Sequence, residues 1–221
     1  MPRYCCYLLI LMCLNTVANS CELTVRTYIF PPLAMKDKDN QWQGMDIETT
    51  KALLDMAGCR FSFIDMPWAR GLRMVKQGQI DAILNVTKTK ERAEYLYFVG
   101  PQRYEEVRFV SKKGLFAKVK TWQQLEGLEA TLMRQQGTFK GERLAQLFAG
   151  MMYLSNQIRT NPAFAVVEIH PLVINKDPVY FAFSKASMSS EDMKKIYAAY
   201  DQLAKAKTLE VITKRYTDEL L

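Results

Sequence analysis

The sequence predicts an α/β fold because strand-like and helix-like segments alternate from the start of the mature chain. The strand-like segments are LTVRTY, FSFID and IDAILNVT, and a stretch with helical spacing of apolar residues lies in each gap between them. The order β-α-β-α-β is typical of an open sheet of parallel strands. Because ligands bind beyond the carboxyl ends of such strands, we expect a site there.

The ends of these elements carry local signals. Pro31-Pro32 stops the first strand, Asp46 is expected to cap the first helix, and Gly58 supplies the left-handed residue after that helix. The second helix begins near Trp68 and ends before Gly78. IDAILNVT is almost continuously apolar, which predicts a central strand covered on both faces.

Beyond Gly100-Pro101 the alternation begins again, and the chain ends in two helices. Ser189 and Asp192 are spaced as a capping box for the first of these helices. The segment TWQQLEG predicts a short helix, and the loop QQGTFKGE precedes another. Further strands are predicted at VRFVSKKG, LEATLM, AFAVVEI and VYFAFSK.

The N-terminus predicts export. Residues 1–20 contain an early Arg3, an apolar run, and Ala18-Asn19-Ser20 in the small-x-small form that signal peptidase cuts. No later stretch is long and apolar enough to predict a membrane helix. We therefore expect residues 1–20 to be a signal peptide and the mature chain to begin at Cys21.

Two cysteines then remain in an oxidising compartment. Cys21 and Cys59 stand just before the first and second strands, at the same end of two strands expected to be neighbours. That position predicts a disulfide. Lipidation of Cys21 is the alternative.

Charge and composition exclude several functions. The net charge is +7, but lysines and arginines are spread without a long run, so no nucleic-acid partner is expected. The sequence has one histidine, His170, which we interpret as structural because no metal-ligand cluster surrounds it. No nucleophile motif, phosphate loop or dinucleotide fingerprint is present, so we expect no cofactor and no enzyme.

The segment NVTKTKERAEYLYFVGPQ predicts a ligand site at a strand end. Asn85, Thr87 and Thr89 offer short polar groups, and Arg92 offers a planar charged fork that suits a carboxylate. The alternative is a solvated basic turn with no ligand.

With these motifs in order, the chain resembles the family 3 extracellular solute-binding proteins. The resemblance rests on the PP turn, Gly44 with Asp46, the PW of the second helix, Gly78-x-x-Asp81, and T-x-x-x-x-R, and it covers residues 21–221. It implies a two-lobe periplasmic-binding-protein-like fold of type II. It also implies a periplasmic monomer that binds a polar amino acid or related solute and serves the permease of an ABC transporter.

The same resemblance implies lobe boundaries. Residues 21–100 and 179–221 would form the first lobe, and residues 101–178 the second. Between Phe148 and Tyr153, however, the sequence lacks a βα unit and the aspartate that pairs with the ligand's α-amino group in the family. The second lobe is therefore expected to be shortened, with an exposed sheet edge or repacking.

The family positions imply a cleft site of six residues. Arg92 would pair with the carboxylate, while Asn85 and Thr87 would hydrogen-bond the ligand. The alternative for the two aromatic residues is plain core packing, and the alternative for Arg92 is a surface ion pair. Arg70 could face the cleft or the solvent. The six residues are Phe30, Trp68, Asn85, Thr87, Arg92 and Thr138.

Several functions remain open at this point. A binding protein is favoured over an enzyme resembling cyclohexadienyl dehydratase, which would need an acid in the second lobe. A sensory domain without transport is a further alternative. The missing aspartate argues against an ordinary amino acid as ligand, because an unpaired ammonium in a closed cleft is unfavourable. Glu168 or Asp177 would have to replace that aspartate.

Overall fold

The computed structural model describes residues 21–114, 116, 119–126 and 151–218. The predicted signal peptide, the strand LEATLM, the loop QQGTFKGE with Thr138, and most of the region of the predicted shortening lie outside these residues.

The described residues form seven strands and seven helices. The strands are β1 (Glu22–Thr27), β2 (Met35–Lys36), β3 (Trp42–Gln43), β4 (Arg60–Asp65), β5 (Ala82–Thr87), β6 (Leu96–Lys112) and β7 (Val167–Ser184). The helices are α1 (Met45–Met56), α2 (Trp68–Lys76), α3 (Lys90–Tyr95), α4 (Trp122–Glu126), α5 (Met151–Thr160), α6 (Ser190–Lys205) and α7 (Thr208–Asp218), with a 3-10 turn at Pro162–Phe164.

Five strands form one mixed sheet in the order β4-β1-β5-β7-β6. β1 is parallel to β4 on one side and to β5 on the other, which confirms the predicted β-α-β-α-β unit. β7 is antiparallel to both β5 and β6. The carboxyl ends of β1, β4 and β5 therefore share one edge of the sheet.

Apolar side chains cover both faces of this sheet. On one face Val25, Leu53 and Phe181 belong to a core cluster that includes residues of α1 and α6. On the other face Val75 of α2 packs in a cluster with Ile83 of β5. The prediction that IDAILNVT is a central strand covered on both faces is confirmed.

The disulfide between Cys21 and Cys59 is present, with the two Cα atoms 4.6 Å apart. It joins the starts of the neighbouring strands β1 and β4, as their position in the sequence predicts. Because it closes a loop across a sequence separation of 38 residues, it is expected to stabilise the fold by about 3 to 4 kcal/mol in the chain-entropy model.

Helix α1 begins differently from the prediction. Its N-cap residue is Gly44, with φ of 118°, and no side chain caps the helix. The backbone N–H groups of Met45 and Asp46 instead donate to the carbonyl oxygens of Pro32 and Leu33, at 3.1 and 2.8 Å. The predicted capping role of Asp46 is therefore wrong, because the PP turn already satisfies the first amides of the helix.

Other helix ends follow the sequence. Gly58 and Gly78 have φ of 69° and 70°, as expected for left-handed residues after α1 and α2. The Ser189 hydroxyl oxygen accepts from the backbone N–H of Asp192 at 3.0 Å, and the same hydroxyl donates to the Asp192 carboxylate. The predicted capping box of α6 is present in this form.

The strands beyond residue 96 are longer than predicted. β6 and β7 have 17 and 18 residues and pair antiparallel from end to end, with three shifts of register, the first between Val99 and Arg103, and they form a ribbon that continues the main sheet. The prediction that AFAVVEI is a strand from its start is wrong, because Pro162–Phe164 forms a 3-10 turn. Both strands run unbroken through the predicted lobe boundaries, which stay predictions.

Candidate functional site

The predicted first-lobe ligand residues all follow the carboxyl ends of the three parallel strands. Phe30 comes after β1, Trp68 begins α2 just after β4, and Asn85 and Thr87 lie at the end of β5. Arg92 lies on α3, one short turn beyond β5. The sheet topology therefore brings these five residues to one edge, whereas Thr138 lies outside the described residues.

Arg92 is held in a buried position by its own strand and helix. Its side chain is buried, its Nη1 donates to the carbonyl oxygen of Thr87 at 2.8 Å, and its backbone N–H donates to the hydroxyl of Thr89, the N-cap of α3. Burial lowers the pKa of the Arg92 guanidinium. This burial argues against a solvated basic turn at Arg92.

Asn85 has an unusual backbone and an unused acceptor. Its φ is 60°, a left-handed conformation that asparagine tolerates better than most residues. Among the described residues, nothing hydrogen-bonds its buried side-chain oxygen Oδ1. An acceptor of this kind at the strand end is suited to receive a donor from a ligand.

The two aromatic residues are only partly buried. Phe30 stacks on Tyr28 with ring centroids 5.5 Å apart and packs against the buried Leu33. Trp68 packs at the edge of the cluster under α2. Each ring therefore packs partly into the core. Because each ring is also partly exposed, it remains available as a wall of a ligand site.

Sequence reasoning missed a second arginine at this edge. Arg26 lies on β1, between β4 and β5 in the sheet, with 4% of its surface exposed. Its Nε donates to the carbonyl oxygen of Met66 at 2.9 Å, and its guanidinium carbon lies 4.7 Å from the Tyr28 ring centroid and 5.4 Å from that of Trp68. The signal that could have identified Arg26 is a charged residue between two buried positions, on a strand that has a neighbouring strand on each side.

Arg92 contacts the same indole ring. Its guanidinium carbon lies 5.7 Å from the centroid of Trp68. Both distances are in the range of cation–π attraction. Arg70, in contrast, is exposed on α2 and adds no buried charge.

A second polar cluster lies where the chain leaves the first β-α-β-α-β unit. The carboxylate oxygen Oδ1 of Asp46 accepts from Arg103 Nη1 at 2.6 Å and from Gln102 Nε2 at 2.9 Å, and Gln102 Nε2 also donates to the Thr49 hydroxyl. All four residues are buried. Burial raises the pKa of the Asp46 carboxyl, while the Arg103 guanidinium opposes that rise.

His170 is buried in the β6–β7 ribbon beside a serine and a glutamate. Its Nε2 lies 2.8 Å from Ser111 Oγ and 3.4 Å from Glu168 Oε1. In a catalytic triad the nucleophile and the orienting acid contact opposite ring nitrogens. Because both partners here meet the same nitrogen, Ser111, His170 and Glu168 do not have the geometry of such a triad.

The acids suggested as substitutes for the missing aspartate have other contacts. Glu168 accepts from the Gly114 backbone N–H at 3.2 Å, in addition to its contacts with Ser111 and His170. Asp177 accepts from the side-chain amide of Asn175. Both therefore serve contacts within the ribbon.

The described residues contain neither a cluster of metal ligands nor a membrane-spanning helix. No group of three or more His, Cys, Asp or Glu residues in them is placed to hold a metal ion. None of the helices found in them is long and apolar enough to cross a membrane.

Comparison with known proteins gives one family and a set of similar folds. The family model for bacterial extracellular solute-binding proteins, family 3, matches residues 23–219. No curated protein matches the sequence.

Three solved structures illustrate the fold. A mutant of ArgBP from T. maritima is 19% identical, with a TM-score of 0.72, over 89% of this chain and 95% of that chain. An ancestral amino acid-binding protein, a precursor of cyclohexadienyl dehydratase, is 20% identical, with a TM-score of 0.70, over 88% and 95%. A histidine kinase sensor domain with similarity to periplasmic binding proteins is 16% identical, with a TM-score of 0.74, over 90% and 96%. At these identities the likeness shows the fold alone.

Proposed function

The chain belongs to the family 3 bacterial extracellular solute-binding proteins, and we propose that it binds a small carboxylated solute beyond the carboxyl ends of β1, β4 and β5. The solute would be passed to the membrane permease of an ABC-type transporter, and the protein would work in the periplasm. The observation that carries the proposal is the buried guanidinium of Arg92 at this edge.

The position of Arg92 suits a carboxylate for physical reasons. A guanidinium presents several N–H donors in one plane, which match the two oxygens of a carboxylate. Its Nη1 is fixed by the Thr87 carbonyl, so the fork is oriented before a ligand arrives. Trp68 and Phe30 would supply the apolar walls and Asn85 the acceptor, whereas Thr138 would close the site from the second lobe.

The disulfide supports export. Disulfides persist in oxidising compartments such as the periplasm and are rare in the cytosol. In the bond with Cys59, the Cys21 sulfur has no thiol left to carry a lipid. We therefore favour a mature protein that begins at Cys21 and is free of a lipid anchor.

Titration calorimetry on the purified mature protein tests the proposal. Small carboxylates should bind, and Arg92→Met should lose about 2 to 5 kcal/mol of binding free energy, because the carboxylate loses its charged partner in a buried site. Arg73→Met, which removes an exposed arginine of α2, is the matched control and should bind as the wild type does. Unchanged affinity in Arg92→Met would contradict the proposal.

An enzymatic role is tested on the same samples. Ser111, His170 and Glu168 do not have the geometry of a catalytic triad, and Glu168 and Asp177 contact other groups of the ribbon. Incubation with prephenate and arogenate should therefore leave both unchanged. Turnover that Arg92→Met abolishes would replace the binding function with a dehydratase.

A further inference from the structure

Arg26 is a buried cation that its surroundings do not neutralise. Its Nε is satisfied by the Met66 carbonyl, but its Nη2, also buried, has no hydrogen-bond partner within the described part of the chain. No carboxylate in that part forms an ion pair with Arg26. Asp65 lies close enough to influence its pKa, but Asp65 is exposed.

An unpaired buried charge is unfavourable unless a partner arrives. Burial lowers the pKa of Arg26 to about 10, so the guanidinium is still charged at neutral pH. Leaving a buried donor unsatisfied is unfavourable, and more so for a charged group. A group of this kind is retained at a functional site more readily than in a plain core.

Arg26 lies beside the carboxylate site. Arg26 is the last residue but one of β1 and so lies near the carboxyl end of that strand, opposite Ile83 near the start of β5. The guanidinium carbons of Arg26 and Arg92 lie 5.4 and 5.7 Å from the centroid of one indole ring, that of Trp68. The cleft edge therefore has two buried cations next to one aromatic wall.

We propose that the ligand carries two acidic groups and is a short dicarboxylate, with one carboxylate on Arg92 and the second on Nη2 of Arg26. The carbon chain between them would lie along Trp68. This inference rests on the proposed function, since it adds a second anionic subsite to the same cleft edge.

The same two cations select against other solutes. A monocarboxylate would leave Arg26 Nη2 without its partner, and a ligand with a cationic side chain would place like charges together in a site of low dielectric. The missing aspartate of the second lobe removes the partner for an α-ammonium. All three features favour a dianion without an amino group.

The test compares dicarboxylates with monocarboxylates of equal chain length. Succinate, glutarate and adipate are titrated beside butyrate, valerate and hexanoate, into wild type, Arg26→Met, Arg92→Met and the control Arg73→Met. In wild type the best dicarboxylate should bind at least about 30-fold more tightly than its monocarboxylate, as expected for one more desolvated charge pair. In Arg26→Met that ratio should fall close to one, because the dicarboxylate loses the partner of its second carboxylate.

The other variants separate the alternatives. Arg92→Met should weaken both classes of ligand, and Arg73→Met neither. Arg26→Lys, which keeps the charge but loses the planar fork, should lie between wild type and Arg26→Met, and it replaces Arg26→Met if circular dichroism shows that the latter does not fold.

Two results would overturn the inference. One is a wild-type protein that binds each pair equally, and the other is an Arg26 variant that keeps the wild-type ratio; in both cases carboxylate binding through Arg92 would stand. If no carboxylate of either class binds the wild type, the proposed function fails as well.

Discussion

Two regions of the molecule bury arginines, and they treat the charge in opposite ways. Where the chain leaves the first β-α-β-α-β unit, Arg103 makes a 2.6 Å ion pair with Asp46, itself bonded to Gln102. Beyond the parallel strands, Arg26 and Arg92 donate to backbone carbonyls and approach aromatic rings. In the first region the protein supplies the anion, and in the second we propose that the ligand supplies it.

The difference separates a structural arginine from a ligand-binding one. A buried ion pair whose partners lie on α1 and β6 ties the start of the ribbon to the first unit of the fold. Removing one partner leaves an uncompensated buried charge. A buried cation that waits for a ligand already bears that penalty, so its removal should affect binding much more than folding.

The largest effect is expected for Arg103→Met. It leaves the Asp46 carboxylate buried without its cation, and should lower the free energy of unfolding by about 3 to 5 kcal/mol in urea denaturation. The control is Arg60→Met, which breaks the exposed pair with Glu22 and should change that free energy by less than about 1 kcal/mol. Equal effects in the two variants would show that the buried pair is not structural.

The effect of Arg103→Met should depend on pH. Burial raises the pKa of Asp46 and Arg103 opposes the rise, so removal of Arg103 raises the folded-state pKa further. When the pKa of an acid is raised in the folded state, the folded protein loses stability as pH rises from the ordinary pKa of the acid to the raised value. The loss caused by Arg103→Met should therefore be smaller at pH 4 than at pH 7, by about 1 kcal/mol or more. A loss that is the same at both values would mean that Asp46 does not titrate in this range.

For Arg26→Met the ligand-free protein should keep its stability to within about 1 kcal/mol. The variant loses the bond to Met66 and the ring contacts, but it also removes an unsatisfied buried charge, and the two effects offset each other. Urea denaturation of Arg26→Met and Arg103→Met, both without ligand, measures the free energy of unfolding that each variant loses. A loss as large as that of Arg103→Met would place Arg26 with the structural arginines.

The smallest effect is expected for ordinary amino acids. A ligand at 100 times its dissociation constant stabilises a folded protein by about 2.7 kcal/mol, which in a chain of this size raises Tm by roughly 5 to 10 °C. Lysine, arginine and neutral amino acids at about 1 mM should instead shift Tm by less than about 2 °C, since the site has two cations and no described acid reserved for an ammonium. Thermal melts with each amino acid, and with a dicarboxylate for comparison, measure these shifts in Tm. A shift above about 5 °C with one of them would restore an amino-acid receptor and assign Glu168 or Asp177 the lost role.

Much of the first part of the fold follows from local pattern. Alternation in LTVRTY, helical spacing before Gly58, and the apolar run of IDAILNVT each report which face of an element is buried. These signals were sufficient for strand order along the chain and for the disulfide, because a β-α-β unit places the starts of its strands side by side. The same pattern placed Arg92 directly beyond the central strand β5, but it left open whether its side chain is buried or solvated.

The sequence did not predict the two arginine environments, because their contacts are distant along the chain. Asp46 and Arg103 are 57 residues apart, and Arg26 and Met66 are 40 apart. Periodicity shows that a position faces inward, but it does not show which group it meets there. The sequence pattern therefore predicts that Asp46 caps a helix and that Arg26 is an ordinary residue of a strand.

The sequence by itself determined the α/β class, the order of β1, α1, β4, α2 and β5, the disulfide partners and the edge at which Arg92 lies. The tertiary structure alone decided that β6 and β7 form one long ribbon, that Asp46 neutralises Arg103, and that Arg26 is buried beside Trp68 with an unsatisfied donor. The physical reason is that local propensity and hydrophobic pattern act over a few residues. Neutralisation of a buried charge depends on groups that only the assembled fold brings together.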